Sequence, residues 1–220
     1  MSVITLIIGE SGTGKSTSIR TLNNEETFII NVLDKPLPFK GYKASYKPKV
    51  NYSTTDKASQ ILLQIKYINE KMPHIKNVII DDSQYIMANE FMRRARERGF
   101  EKFTEIAQNF WNIVIEAQAC RDDLYFFFLS HNELDNSGKY KCKTIGKMLD
   151  DKITIEGMFT VVLHAFMEDG SYKFLTQNNG SYIAKSPMGM FKDNVIDNDL
   201  LQVKKQMVEY YGEESSNEIA

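Results

Sequence analysis

The sequence predicts an α/β fold, a mostly parallel central sheet flanked by helices, and three observations carry that prediction. An apolar run, Val3-Ile4-Thr5-Leu6-Ile7-Ile8, passes directly into a glycine-rich turn and then into a helical pattern. Later apolar runs at 78–80 and 124–129 end in carboxylates and in Ser130-His131, respectively. Amphipathic stretches at helical spacing fill the intervals, as crossovers between parallel strands require. A chain of 220 residues, 42% of them hydrophobic, suffices for one such domain, expected over 1–211, and leaves no room for a second.

The turn, Gly9-Glu10-Ser11-Gly12-Thr13-Gly14-Lys15-Ser16, has the spacing of a P-loop. Glycines at both ends and in the middle let the backbone fold tightly enough for successive N–H groups to point inward around a polyphosphate. Gly9, Glu10, Ser11, Gly12, Thr13 and Gly14 form that expected cradle. Lys15 is placed to reach the β- and γ-phosphates, Ser16 to ligate Mg²⁺, and Thr17 to make a weaker second contact. A helix expected to start near Gly14, with Ile19 and Leu22 one turn apart, aims its positive end at the anion. ATP and Mg²⁺ are the cofactors implied.

Residues 27–32 read as a second strand, and the loop region 34–48, with Pro36, Pro38 and Pro48, is expected to lie over the surface near the nucleotide. Asp56 opens a helix whose Ala58, Ile61, Leu62, Ile65, Ile68 and Met72 share one face until Pro73 stops it. Asn77-Val78-Ile79-Ile80-Asp81-Asp82-Ser83 is then an apolar strand ending in two carboxylates, the pattern of a Walker B strand. Expected beside the P-loop strand, it brings Asp81 to the magnesium shell and Asp82 to the attacking water. Paired acids also cap helices, which is the alternative for each. A helix from Gln84 sets Ile86, Met87, Phe91 and Ala95 on its core side. Arg93, Arg94, Arg96 and Arg98 on its other side read as a solvated face paired with Glu90 and Glu97, in preference to a phosphate contact. The next helix buries Phe103, Ile106, Ala107, Phe110, Ile113, Val114 and Ala117, with Trp111 packing at its edge.

The run 124–129 is apolar throughout, hence buried on both faces, and Ser130 and His131 stand where a polar side chain senses the γ-phosphate. Local hydrogen bonding is their competing role. Residues 135–151 read as a mobile basic loop. Its Lys139, Lys141, Lys143 and Lys147 are candidates to contact a nucleic-acid backbone, Lys141, Lys143 and Lys147 are also candidates to reach a neighbouring subunit's nucleotide in trans, and simple solvation is the alternative for each. Runs 159–166 and 172–176 flank Glu168-Asp169-Gly170-Ser171, a signal for a C-terminal antiparallel β-hairpin that extends the sheet. A final helix over 199–211, with Leu200, Leu201, Lys204, Met207, Val208 and Tyr211 on one face, closes the fold or docks on a neighbour. The polar, acidic 212–220 reads as a disordered tail.

The 27 basic and 29 acidic residues give a net charge of −2, so no global positive field draws the chain to nucleic acid, and such binding needs a local patch or an assembly. Cys120 and Cys142 match neither a zinc spacing nor a disulfide framework, which suits reduced thiols in a cytoplasm. The first apolar run feeds straight into the P-loop and no run is long enough to span a bilayer, so neither a leader nor a membrane partner is expected.

Taken in order, these signals resemble the RecA-like core, and more closely the compact phage and prophage AAA-type ATPases that include the Sak-type single-strand annealing proteins. The resemblance is carried by Gly9 through Ser16, by 78–84, by 129–131, by Lys143-Thr144-Ile145-Gly146-Lys147 and by Ala184-Lys185-Ser186-Pro187-Met188-Gly189-Met190-Phe191. It implies an ATP-binding homo-oligomer, a ring or filament on single-stranded DNA, that promotes annealing or strand exchange alongside other recombination or replication proteins. Lys15 and Ser16 then serve phosphate and magnesium, Asp81 magnesium, and His131 the sensor. One departure stands out. RecA relatives place a catalytic glutamate at the end of the strand that comes between the two motifs in sequence, where this chain reads Asn31-Val32-Leu33-Asp34. Either Asp34 or Asp82 substitutes, or hydrolysis is slow and ATP is mainly an assembly switch. Two other classes compete: a P-loop nucleoside or nucleotide kinase that holds an acceptor phosphate with the arginines, and a non-hydrolysing ATP-dependent scaffold for recombination.

Overall fold

Strands with apolar side chains on both faces belong in the middle of a sheet. The computed structural model, which describes residues 1–135, 138–146 and 148–212, places them there. In chain order the elements are β1 (Val3–Gly9), β2 (Thr27–Asn31), α1 (Tyr42–Ser45), β3 (Tyr52–Thr54), α2 (Ala58–Lys71), β4 (Asn77–Asp81), α3 (Tyr85–Arg93) and α4 (Glu101–Ala119). There follow β5 (Tyr125–Leu134), β6 (Tyr140–Cys142), β7 (Val161–Glu168), β8 (Ser171–Leu175), β9 (Val195–Asp197) and α5 (Leu200–Gly212). The sheet runs β3-β2-β4-β5-β1-β7-β8-β9, with β6 paired to the far end of β5. From β3 to β7 every neighbour is parallel, and β8 and β9 are added antiparallel.

Period-2 alternation divides the core into two layers. Ile4, Leu6 and Ile8, Val78 and Ile80, and Phe126 and Phe128 face α2, α3 and α4. Ile7, Ile79, Phe127 and Leu129 face the opposite way, toward α5 and Met190-Phe191. Because β1, β2, β4, β5 and β7 are parallel, their carboxyl ends share one edge, and the P-loop stands on it.

Several expectations are corrected. The strands flanking β1 are β5 and β7, so the carboxylate-bearing β4 lies one strand further away, beyond β5, yet its end reaches the same crevice. The P-loop continues into a six-residue 3₁₀ turn, Ser16–Thr21, in place of a longer α-helix. Two of its hydroxyls turn back on the backbone, Ser18 Oγ donating to Lys15 O at 2.6 Å and Thr21 Oγ1 to Ser18 O at 3.3 Å, a competition that disfavours helix propagation. Asp56 does not open α2; it accepts from Asn89 at 2.9 Å and Arg93 at 2.6 Å on α3. Thr55 Oγ1 does the local work there, accepting from Lys57 N at 3.2 Å. α3 ends at Arg93, leaving Ala95 exposed, while Arg94 pairs with Glu90, Glu97 and Glu105. The supposed loop after β5 contains β6, because β5 runs on past His131 and pairs Asn132, Glu133 and Leu134 with it. On α5 the buried face is Leu200, Val203 and Met207, with Val208 and Tyr211 exposed. The tail proposed over 212–220 lies outside the described residues apart from Gly212.

Phe128 is fully buried between Phe110 and Phe159, at ring-centroid distances of 6.5 and 5.2 Å. Phe128→Ala should lower unfolding free energy in urea by about 3–5 kcal/mol. A loss below about 1 kcal/mol would mean that this layer is far less tightly packed than drawn.

Candidate active site

The P-loop departs from Gly9, the last residue of β1, where a Cβ would come within 2.5 Å of Ala165 O on β7. The turn is closed by Thr13, whose hydroxyl donates to Glu10 O at 2.8 Å. Gly14 has φ 87°, a left-handed conformation that side chains disfavour, and a Cβ on it would lie 2.6 Å from the Tyr172 ring. β8 therefore leans its aromatic ring directly on the phosphate turn. Lys15 is buried and donates to Gly9 O and Glu10 O, each at 2.8 Å. Burial lowers its pKa to about 8, against the opposing fields of Asp82 and Asp81.

The next side chain along, Ser16, donates to Asp81 Oδ1 at 2.7 Å, tying the P-loop to the end of β4. Burial, then the neighbouring Asp82, raises the Asp81 carboxyl to about 6, with Ser16, Lys35 and Lys15 pulling it back. An all-oxygen pair with an under-compensated carboxylate fits a hard divalent cation. Among the described residues no cluster of three or more His, Cys, Asp or Glu could hold a metal by itself. That suits Mg²⁺, which takes one or two protein oxygens and completes its shell with water and phosphate.

Asp82 turns away from its neighbour because its backbone is left-handed, φ 60°, which is uncommon and costly outside glycine. Its carboxylate meets Lys35 Nζ at 2.5 Å, and His131 Nε2 stands 3.6 Å away. Burial would raise this carboxyl, but His131 and Lys35 outweigh it and hold the group below the usual range. Neither acid caps α3, whose N-terminal residue, Gln84, makes no side-chain capping bond. Ser11, Gly12 and Thr17 of the P-loop segment, together with Lys35, Asp82, His131 and Tyr172, line a cleft of about 210 Å³.

Other expected residues lie elsewhere. Ser130 is fully buried; its hydroxyl donates to Gln84 Oε1 at 3.3 Å and accepts from the Cys142 thiol at 3.4 Å, so it does not face the cleft. Asp34 accepts from Thr54 at 3.0 Å and lines a different cavity with Pro48 and Tyr52. Lys141 sits opposite Glu133 in the β5–β6 ladder, 3.9 Å from its carboxylate. Lys143 borders a second cavity, of about 480 Å³, that adjoins the cleft at Ser11 and His131. Lys147 lies outside the described residues. The sequence reading overlooked Lys35, Gln84 and Tyr172. Position just beyond the end of β2 could have pointed to Lys35, whereas nothing local marks Tyr172.

Behind the P-loop, His164 of β7 sits opposite Ile8 with its ring 4.2 Å from Tyr182, and its buried Nδ1 has no partner among the described residues. Burial, with Lys15 nearby, lowers its pKa from 6.5 to about 4. Unfolded His164 takes up a proton below its ordinary value while the folded residue does not, so this contribution to stability is intact above pH 6.5 and fades as pH falls toward 4. By pH 5 it should cost about 2 kcal/mol. Urea titrations of wild type and His164→Gln across this window should show a shallower pH slope in the variant; equal slopes would refute a buried neutral imidazole.

A family profile described as an AAA domain matches residues 2–188. No curated protein matches the chain. The matched span runs from the strand ahead of the P-loop to just past Lys185, which bridges Val162 of β7, and it takes in the whole parallel sheet. What is shared is the nucleotide-binding framework itself, and the chain belongs to the AAA domain family, whose members are of the P-loop ATPase type.

Proposed function

We propose that this protein is a RecA-like, Mg²⁺-dependent ATPase that binds single-stranded DNA as a homo-oligomer and promotes annealing or strand exchange, in the manner of the phage and prophage Sak-type proteins. The observation that carries the ATPase part is the 2.7 Å bond between Ser16 and Asp81, formed with β5 standing between the strands that bear them. Lys15 and Ser16 hold phosphate and metal, Asp81 completes the metal's protein ligands, Asp82 orients the water, and His131 reports the γ-phosphate. The bound cation supplies charge stabilisation to the transferring phosphoryl group. With Asp34 engaged by Thr54, Asp82 is the stronger candidate to replace the glutamate expected of RecA relatives.

The DNA part draws support from the second cavity. Gln84, Asn132 and Thr144 offer hydrogen bonds there, Tyr85 and Phe91 offer aromatic surface, and exposed Lys143 offers charge. Amides, rings and a cation are the chemistry of single-strand recognition. The same cavity favours a second reading, a nucleoside kinase, because an acceptor placed there would adjoin the P-loop at Ser11. Against an arginine clamp for that acceptor, Arg93 is bound to Asp56 and Arg94 to three glutamates.

The deciding experiment is ATP turnover by wild type and Lys15→Ala, with and without single-stranded DNA, and with nucleoside and nucleotide acceptors. Stimulation by DNA that disappears in Lys15→Ala, together with DNA binding that weakens steeply with salt, is the expected result. Phosphoryl transfer to an acceptor, with no response to DNA, would overturn it in favour of the kinase.

A further inference from the structure

We propose that Lys35 is a second phosphate-binding lysine, which exchanges the Asp82 carboxylate for the terminal phosphate of a nucleoside triphosphate and so makes the site discriminate triphosphate from diphosphate. This rests on the nucleotide-binding reading of the P-loop and adds a residue to it.

The backbone of Lys35 is fixed, although its side chain is largely exposed. Lys35 O accepts from Asn31 Nδ2 at 2.7 Å, and Asn31 is a buried residue at the end of β2, in register with Asp81 on β4. Asn31 Nδ2 also donates to Tyr52 Oη at 2.8 Å, which fixes the amide in turn. The Lys35 side chain is 57% exposed, against 7% for Asp82. A long flexible stem on an anchored base sweeps a small arc, and that arc lies in the cleft that Ser11, Lys15 and Ser16 also line.

Charge gives the lysine a reason to move. Lys15 already donates to two P-loop carbonyls, and a magnesium-bound triphosphate still carries net negative charge. Among the described residues, Lys35 is the other lysine lining the cleft. The lysine end of its pair with Asp82 is open to solvent, so the ammonium can leave without being buried, and His131 stays beside the carboxylate. A phosphate offers several acceptor oxygens and more charge than a carboxylate, and binds an ammonium more strongly. The exchange also frees Asp82 beside His131, 3.6 Å away, to accept a hydrogen bond from water. Asp82 is thus withheld until a γ-phosphate arrives. A diphosphate, lacking that group, leaves the pair in place.

The test is calorimetric binding of ADP and of the β,γ-imido analogue of ATP, with Mg²⁺, to wild type, Lys15→Ala, Lys35→Ala, Lys35→Arg, Asp82→Asn and the Lys35→Ala/Asp82→Asn pair. Lys35→Ala should weaken the triphosphate analogue about tenfold and change ADP by less than about twofold, with Lys35→Arg keeping most of the difference. Asp82→Asn removes the competing carboxylate, so it should tighten the triphosphate analogue more when Lys35 is present than when Lys35 is alanine. Equal weakening of both nucleotides by Lys35→Ala, no weakening, or an Asp82→Asn effect independent of Lys35 would overturn the proposal. Unfolding midpoints will separate the other possibility, a merely structural ion pair, which lowers stability without changing the ratio of the two affinities. If wild type binds neither nucleotide and matches Lys15→Ala, the P-loop reading itself has failed, a result distinct from any of those.

Discussion

Two consecutive carboxylates at the end of a buried strand cannot both go uncompensated, and the site is arranged around that constraint. Asp81 and Asp82 are 4% and 5% exposed. Left side by side they would repel one another, and burial would favour protonation of both. The chain separates them by a left-handed residue at Asp82 and compensates each from a different direction. Ser16 comes from the P-loop to Asp81; Lys35 comes from beyond β2, and His131 from β5, to Asp82. The same compensation draws three segments distant in sequence to one edge of the sheet.

The P-loop and the carboxylate strand were legible because each is a local pattern with a local physical cause. Left-handed glycines, a lysine and a hydroxyl at fixed spacing need no knowledge of the rest of the fold. The strand order was less legible: nothing in residues 77–81 says that β5 will intervene before β1. Ser130 and His131 show the same limit. Their adjacency invited one shared role, yet alternation in a strand sends neighbouring side chains to opposite faces, so only His131 reaches the cleft. Lys35 and Tyr172 owe their places to register and loop anchoring, which are tertiary facts. Ser16–Thr21 was expected to be an ordinary helix because Ile19 and Leu22 have helical spacing; the competing hydroxyls around them decided otherwise.

The relation between Asp82 and His131 is set by hydrogen bonds as well as by packing. The regular β4–β5 ladder ends at Ile80 and Phe128. Beyond it, Ser83 N donates to Leu129 O at 2.8 Å, and Gln84 Oε1 accepts from His131 N at 3.1 Å. Gln84 also borders the second cavity, so one amide group fixes the backbone of His131 while forming part of that cavity's wall.

Tyr172, finally, redraws the boundary of the functional unit. Its ring packs on Gly14 at the cleft wall, its carbonyl accepts from Asn198 N at 3.3 Å, and Asn198 Oδ1 accepts from Arg20 at 3.2 Å, just past the P-loop. Leu200, Val203 and Met207 then seal the same face of the sheet as Ile7 and Ile19. All of these later residues fall beyond position 188, where the shared family region stops. The phosphate loop is common inheritance, but its scaffolding is completed by a stretch outside that inheritance, and the cleft is as much a property of the chain's last strand and helix as of its first turn.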